Sequence, residues 1–197
     1  DIRTELFTLR GSAAIPFEKA LEFANIASAK TGVRPAFILG VIAEESNLGE
    51  NVGTGNWKTD LYECYKNIGY ATSAEKQKAA FLKITSDLGL NPDTLLVSRK
   101  PWYGCGGAMG PAQFMPTTWA LYVDRIAKAT GHNPPSPWNN GDAFMASAIL
   151  LMDNGADKGT EYAERLSALR YLAGWKNAEK ASYSFYGDDV MTLATKY

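Results

Sequence analysis

The spacing of apolar residues along the chain predicts a protein built mainly from helices. Near the start, apolar residues recur every three to four positions, the period of one helix face: Phe17, Ala20, Leu21, Ala24 and Ala27. Gly32 follows and predicts the end of this helix. A second helix is predicted from Pro35 to about Asn47, and it is apolar on nearly every side until Glu44. Such a helix belongs in the centre of a core.

Capping residues and further apolar faces predict the other helices. Thr72 and Glu75 have the spacing of a capping box, and Asn139 can cap a helix that runs to about Asp153. Three more helices are predicted at Pro116–Thr130, Glu161–Ala173 and residues 186–197. The only strand candidate is residues 5–9. The pattern predicts one mostly α domain with long loops over residues 13–197, preceded by a flanking arm at residues 1–12.

Size and charge limit the classes of protein that fit. The chain has 197 residues, of which 46% are hydrophobic, and this is enough for one sizeable core. Its net charge is −1 and its Lys and Arg residues do not cluster, which disfavours nucleic acid as a partner. The longest apolar stretches, residues 36–43 and 143–152, are too short to span a bilayer. No signal peptide is visible, but the chain opens abruptly at Asp1, so export stays open.

The two cysteines, Cys64 and Cys105, form no metal-binding motif, and the single histidine, His132, completes no ligand set. Two buried thiols and one disulfide fit the sequence equally well. Because Cys105 adjoins a Gly-rich run, a disulfide would tie that run to residues 57–65.

Two adjacent carboxylates, Glu44 and Glu45, follow the apolar part of the second helix. Neighbouring helical positions point about 100° apart, so the two side chains cannot share one environment. One should face solvent, and the other should have apolar neighbours that raise its pKa. A general acid needs a raised pKa to keep its proton near neutral pH. On this segment alone, two ordinary exposed carboxylates fit at least as well.

The Gly-rich run at residues 106–116 is the most informative segment. Gly106, Gly107 and Gly110 permit backbone conformations and close approaches that a Cβ atom would prevent. Gln113 then offers one amide, and Pro116 suits the first turn of a helix. We expect a surface where a sugar strand approaches bare backbone and bonds to one amide.

These segments together resemble the lytic transglycosylases of the lysozyme-like superfamily, and most closely the membrane-bound lytic murein transglycosylase B type. Glu45-Ser46-Asn47-Leu48-Gly49 resembles the catalytic motif, and Gly107 to Pro116 matches the pattern Gly-Ala-Met-Gly-x-x-Gln-Phe-Met-Pro. Arg170-Tyr171, Ala173-Gly174 and Tyr186 resemble the closing tyrosine motifs. The resemblance covers about residues 17–197. Leu172 departs from it, because family members usually carry Asn at that position.

The resemblance implies a lysozyme-like fold of the goose-type lysozyme and lytic transglycosylase kind. It implies that Glu45 is the catalytic acid and that five residues bind the substrate: Ser46, Met109, Gln113, Tyr171 and Tyr186. The implied partner is the glycan strand of bacterial peptidoglycan, with no cofactor. The protein is expected to be exported, periplasmic or cell-wall associated, and to act as a monomer. A segment outside this chain could anchor it to a membrane or the cell wall.

The implied reaction cleaves the β-1,4 bond between N-acetylmuramic acid and N-acetylglucosamine and needs one carboxyl group. Glu45 would protonate the leaving oxygen, and the substrate's 2-acetamido oxygen would stabilise the sugar cation. The Glu45 carboxylate would then deprotonate the C6 hydroxyl, which closes a 1,6-anhydro ring. Glycoside hydrolysis usually uses a second carboxylate. Asp60, Glu63 and Asp142 are the candidates for that role, and one of them in the groove would favour a hydrolytic muramidase.

Two alternatives to the lytic transglycosylase stay open, namely the hydrolytic muramidase on the same fold and a non-catalytic glycan-binding module. Four aromatic residues in predicted loops fit two roles, stacking on sugars or packing in the core, and for each one the packing role fits at least as well: Trp57, Trp102, Tyr103 and Trp138. No structural calcium is predicted, because residues 153–157 and the region after Trp119 lack the calcium-loop pattern.

Overall fold

The computed structural model of the protein describes residues 13–197, and α-helices supply most of this part of the chain. The predicted arm at residues 1–12 and the strand candidate within it lie outside the described residues. The α-helices in chain order are α1 (Phe17–Thr31), α2 (Pro35–Ser46), α3 (Cys64–Asn67), α4 (Ala71–Asp87), α5 (Pro116–Thr130), α6 (Asn140–Asp153), α7 (Glu161–Ala173) and α8 (Ser184–Ala194). A π-helical segment spans Trp57–Glu63, and single 3₁₀ turns span Pro92–Thr94, Ala156–Lys158 and Ala181–Tyr183.

Helix α2 lies at the centre of the core, as its apolar composition predicted. Every residue of this helix from Phe37 to Ile42 is buried. It packs against α1, α6 and α8. Gly40 permits the close approach of α8, because a Cβ atom there would lie 2.9 Å from the Val190 carbonyl oxygen. The burial of α2 fixes the position of its last turn, which carries Glu44 and Glu45.

Most predicted helices are confirmed, with small differences at their ends. α1, α5 and α7 have the predicted bounds, α2 ends at Ser46, and α8 spans Ser184–Ala194 instead of residues 186–197. The Asn139 side chain accepts a hydrogen bond from the Asp142 amide and caps α6 as predicted. None of the helices within residues 13–197 is both long and apolar enough to cross a membrane.

The predicted capping box at Thr72 and Glu75 is wrong. Helix α4 begins at Ala71, and Tyr70 precedes it without a capping side chain. The Glu75 carboxylate instead accepts a hydrogen bond of 2.5 Å from the Tyr62 hydroxyl. Tyr62, which lies outside the helix, therefore binds the carboxylate that the local pattern predicted as part of the cap.

The long loop before α5 is fixed at several points and carries the Gly-rich run. A disulfide joins Cys64 at the start of α3 to Cys105, which removes the alternative of two free thiols. The Gly106 amide bonds to the Asp60 carbonyl oxygen, and the Gly107 amide bonds to the Ser98 carbonyl oxygen. These contacts hold the start of the run against the π-helical segment.

Candidate active site

A groove of about 470 Å³ lies beside the last turn of α2. Its walls come from that turn, the end of the Gly-rich run, α5, α6, the last turn of α7 and the residues that follow it. The side chains that line it include both charged and apolar groups: Glu45, Gln113, Phe114, Met115, Thr118, Leu121, Tyr122, Leu150, Asp153, Asn154, Arg170, Tyr171, Leu172, Gly174 and Trp175. Residues far apart in sequence thus form one concave surface, the usual shape of a ligand site.

Glu45 is half-buried at the wall of this groove, and a tyrosine from the other end of the chain holds it. The Tyr186 hydroxyl donates a hydrogen bond to Glu45 Oε1. Tyr186 is itself 4% exposed, so its ring is fixed by packing. The contact joins α2 to α8 and orients one carboxylate oxygen, while the other has no hydrogen-bond partner within residues 13–197.

The surroundings of Glu45 favour its protonated form. Burial raises the pKa of Glu45 to about 7, the negative charge of Glu44 adds to the rise, and the Tyr186 hydrogen bond opposes it. The Glu44 carboxyl is also partly buried, and desolvation together with Asp189 raises its pKa. A carboxyl group with a pKa near 7 can both donate and accept a proton at neutral pH.

Replacing Glu45 with Gln is expected to stabilise the fold at high pH. The pKa of Glu45 in the folded protein lies above its ordinary value of 4.5. The protonated Glu45 carboxyl therefore contributes its full stabilisation of the fold below pH 4.5, and this stabilisation is lost as the pH rises through about 7. The Gln variant does not ionise, and its amide oxygen can still accept from Tyr186. We expect its free energy of unfolding to exceed that of the parent by about 3 kcal/mol near about pH 8, and to match it near about pH 4.

Urea denaturation at both pH values measures this difference. Glu44→Gln is the matched control, since it neutralises the neighbouring carboxyl on the same turn. A gain of equal size at both pH values would show that the substitution acts through packing rather than through ionisation.

Ser46 serves the turn after Glu45 and has no surface open to a ligand. It is 1% exposed, its hydroxyl donates to the Pro111 carbonyl oxygen over 2.7 Å, and it accepts from the Gly49 amide over 3.0 Å. The predicted role of Ser46 in substrate binding stays a prediction, which this burial disfavours. Its hydroxyl ties the last turn of α2 to the Gly-rich run, and it fixes Glu45 relative to that run.

The Gly-rich run turns most of its backbone toward the protein, not toward the groove. A Cβ atom at Gly110 would lie 1.9 Å from the Pro137 carbonyl oxygen, and Gly110 has a φ of +63°. Met109 is fully buried and belongs to the hydrophobic core. The expected approach of a sugar to bare backbone and the predicted substrate contact of Met109 stay predictions, which this close packing disfavours. The glycines serve close packing within the fold.

Gln113 is the polar side chain of the run that reaches the groove. Its backbone has a φ of +54°, and its Nε2 donates to the carbonyl oxygens of Gly110 (2.8 Å) and Val52 (3.3 Å). Because both of these partners use the nitrogen, the carboxamide oxygen is the atom that can accept from a ligand. The predicted role of Gln113 in substrate binding stays a prediction that this orientation favours.

Tyr171 lies between Glu45 and the Gly-rich run. Its hydroxyl donates to the Ala112 carbonyl oxygen over 2.6 Å, and its ring packs edge-on against Phe114 at a centroid distance of 5.9 Å. Burial and the nearby Glu45 charge raise its pKa well above the ordinary value. Tyr171 is thus a neutral group that lines the groove and supports the run. Leu172, which departs from the family pattern, also lines the groove.

The carboxylates predicted as possible partners of Glu45 lie elsewhere. Asp60 bonds to the amides of Asn56 and Lys100, and Asp142 bonds to the Ser136 amide and to His132. Glu63 is exposed on the π-helical segment. None of the three lines the groove.

Asp153, at the end of α6, is the carboxylate that shares the groove with Glu45 among the described residues. Arg125 bonds to both of its oxygens, over 2.5 and 2.8 Å, and Tyr122 donates a third hydrogen bond. The Arg125 guanidinium is the main cause of a lowered pKa for Asp153. The sequence did not single out this residue as a groove carboxylate. Its oxygens are already engaged, so Asp153 is less suited than Glu45 to transferring a proton.

The loop aromatics separate into two groups. Trp57 and Trp138 are buried in the core, while Trp102 and Tyr103 are exposed on a loop outside the groove. Trp175 lines the groove instead, and the sequence offered no reason to prefer it. The nearest signal was its position directly after Ala173-Gly174, within the closing motifs. Within residues 13–197 no three His, Cys, Asp or Glu side chains are placed to hold a metal ion, and the absence of calcium stays a prediction.

The groove and its half-buried glutamate lie on a mostly helical, lysozyme-like fold. Residues 11–188 match the family described as transglycosylase SLT domain, and the chain belongs to this family. No curated protein matches the chain by sequence.

Solved structures of lytic transglycosylases share this fold. The soluble lytic transglycosylase SltB1 from Pseudomonas aeruginosa is 25% identical with a TM-score of 0.58, over 71% of this chain and 44% of that one. A 36 kDa muramidase/transglycosylase is 27% identical with a TM-score of 0.54. The Escherichia coli lytic transglycosylase Slt35 in complex with bulgecin A is 27% identical with a TM-score of 0.53. Both matches cover 71% of this chain and 41% of the other. The chain thus corresponds to less than half of each of these structures.

Proposed function

We propose that this protein is a peptidoglycan lytic transglycosylase that cleaves the β-1,4 bond between N-acetylmuramic acid and N-acetylglucosamine. The observation that carries the proposal is Glu45, a groove carboxyl with a pKa of about 7 that is oriented by Tyr186. Family membership supports the same reaction class.

In this mechanism Glu45 acts first as an acid and then as a base. Its protonated carboxyl gives a proton to the leaving glycosidic oxygen, and the substrate's acetamido oxygen stabilises the positive charge at C1. The resulting carboxylate accepts the proton of the C6 hydroxyl, which attacks C1 and forms the 1,6-anhydro ring. A pKa near 7 suits both steps, because neither protonation state is strongly disfavoured at neutral pH.

The surroundings of Glu45 support this sequence of steps. Tyr186, whose pKa is raised well above its ordinary value, stays neutral and can donate to the carboxylate formed after the first step. The engaged nitrogen of Gln113 supports a role for its carboxamide oxygen in accepting from a substrate hydroxyl or acetamido group. Asp153 is held by Arg125, which leaves Glu45 as the groove carboxyl suited to proton transfer.

Mass spectrometry of the fragments released from purified sacculi tests the proposal. We expect muropeptides that end in 1,6-anhydromuramic acid. Fragments one water heavier, with reducing ends, would identify a hydrolytic muramidase and give Asp153 a role in positioning water. Binding to sacculi without release of fragments would identify a non-catalytic glycan-binding module.

The proposed substrate places the protein outside the cytoplasm, in the periplasm or at the cell wall. The Cys64–Cys105 disulfide supports this location, since disulfides persist in oxidising compartments. We further propose that the protein acts as a monomer.

A further inference from the structure

Trp175 is a large aromatic side chain that faces solvent from the wall of the groove. It follows Gly174 at the end of α7, it lines the same groove as Glu45, and it is 62% exposed. Its ring carries a large apolar surface that a ligand in the groove could cover.

Two neighbouring groups fix the position of the Trp175 ring. Its indole N–H donates to the Asn154 side-chain oxygen over 2.9 Å, and the Arg170 guanidinium lies 3.5 Å from its ring centroid. Arg170 in turn donates to the Asn154 carbonyl oxygen over 2.7 Å. Asn154 is 2% exposed, and its side-chain nitrogen donates to the Ser167 carbonyl oxygen. The three side chains therefore form one interlocked unit on a buried base.

This arrangement covers one face of the indole with the guanidinium and holds the ring before any ligand binds. The cation on one face is favourable by itself, and the hydrogen bond removes rotation of the ring. A ring ordered in advance loses little conformational entropy on binding, which favours affinity. The remaining exposed ring surface is thus available to a ligand in the groove.

The geometry points to Trp175 as a sugar-stacking residue of the groove, with Arg170 and Asn154 as its positioning residues. The inference rests on the proposed function, since it takes a glycan strand as the occupant. A pyranose ring has one apolar C–H face that can lie on an indole, while its hydroxyl and acetamido groups point sideways. Gln113 lines the same groove and offers its carboxamide oxygen to such groups, since its nitrogen is already engaged. A flat apolar ligand would leave this oxygen unpaired.

Calorimetric binding of a β-1,4-linked N-acetylglucosamine oligosaccharide to the Glu45→Gln variant tests the inference without turnover. Adding Trp175→Ala is expected to weaken the affinity about three- to tenfold, the range of one aromatic stacking contact. Adding Trp175→Phe instead is expected to restore most of the affinity, because a flat ring remains. If Trp175 served only fold stability, the affinity would not depend on whether residue 175 carries an aromatic ring. Thermal unfolding of all variants measures their stability separately.

Trp102→Ala is the matched control, because Trp102 is 96% exposed and lies outside the groove. Its affinity is expected to equal that of the Glu45→Gln parent. Equal affinity of the Trp175→Ala variant, equal losses in the alanine and phenylalanine variants, or no binding to the parent would each overturn the inference. The proposed reaction is read separately from the fragments of sacculi, so failure of the chemistry and failure of the stacking site give different results.

Discussion

Replacing Glu45 with Gln is expected to lower the rate of glycan cleavage by about 10³-fold, the usual contribution of a general acid and base. The amide cannot give a proton to the leaving oxygen or accept one from the C6 hydroxyl. Its shape and its ability to accept from Tyr186 are kept, so the groove should still bind glycan. The rate is measured as release of soluble fragments from sacculi, under conditions where the parent enzyme is not saturated.

Glu44→Gln is the control for this prediction, because Glu44 precedes Glu45 on the same turn and is not among the groove residues. Its rate is expected to stay within about threefold of the parent, since it affects Glu45 only through a charge interaction. Loss of cleavage in Glu44→Gln with cleavage kept in Glu45→Gln would reverse the two assignments. If both variants still cleave glycan, neither glutamate of this turn is the general acid.

Loss of the Cys64–Cys105 disulfide is expected to lower the free energy of unfolding by about 4 kcal/mol. The two residues are 41 positions apart, so the bond closes a long loop and restricts the unfolded chain strongly. The loss is measured by urea denaturation of the double variant Cys64→Ala/Cys105→Ala beside the parent, each with and without dithiothreitol. The reductant should destabilise the parent and leave the double variant unchanged.

Titration of the denatured, unreduced protein checks the bond directly. Two free thiols would contradict the disulfide. An unchanged free energy of unfolding would contradict the expected restriction of the unfolded chain by the bond.

The helices of this protein could be predicted well because their signals are local. The apolar period of α1, the Asn139 cap of α6 and the proline at the start of α5 each act within a few residues of the chain. The capping box at Thr72 and Glu75 failed for the opposite reason. The partner of Glu75 is Tyr62, which is thirteen positions away and which no local pattern identifies.

The candidate site was only partly predictable, because a motif marks a residue without giving the direction of its side chain. Ser46 and Met109 belong to the matched motifs, yet both are buried and hold the groove wall from behind. Trp175 and Asp153 lie in the groove although the residues gave no reason to select them.

The sequence by itself determined the helical class of the protein, the buried character of α2, the family resemblance and the short list that contained Glu45. These properties depend on apolar spacing and on motif identity, which the linear order of residues records. Tertiary structure alone decided that burial raises the pKa of Glu45, and that Tyr186, which is 141 positions away, orients its carboxyl group. It also decided which carboxylates stay outside the groove and which tryptophan enters it. Burial and solvent access are properties of packed surfaces, and they exist only once distant segments meet.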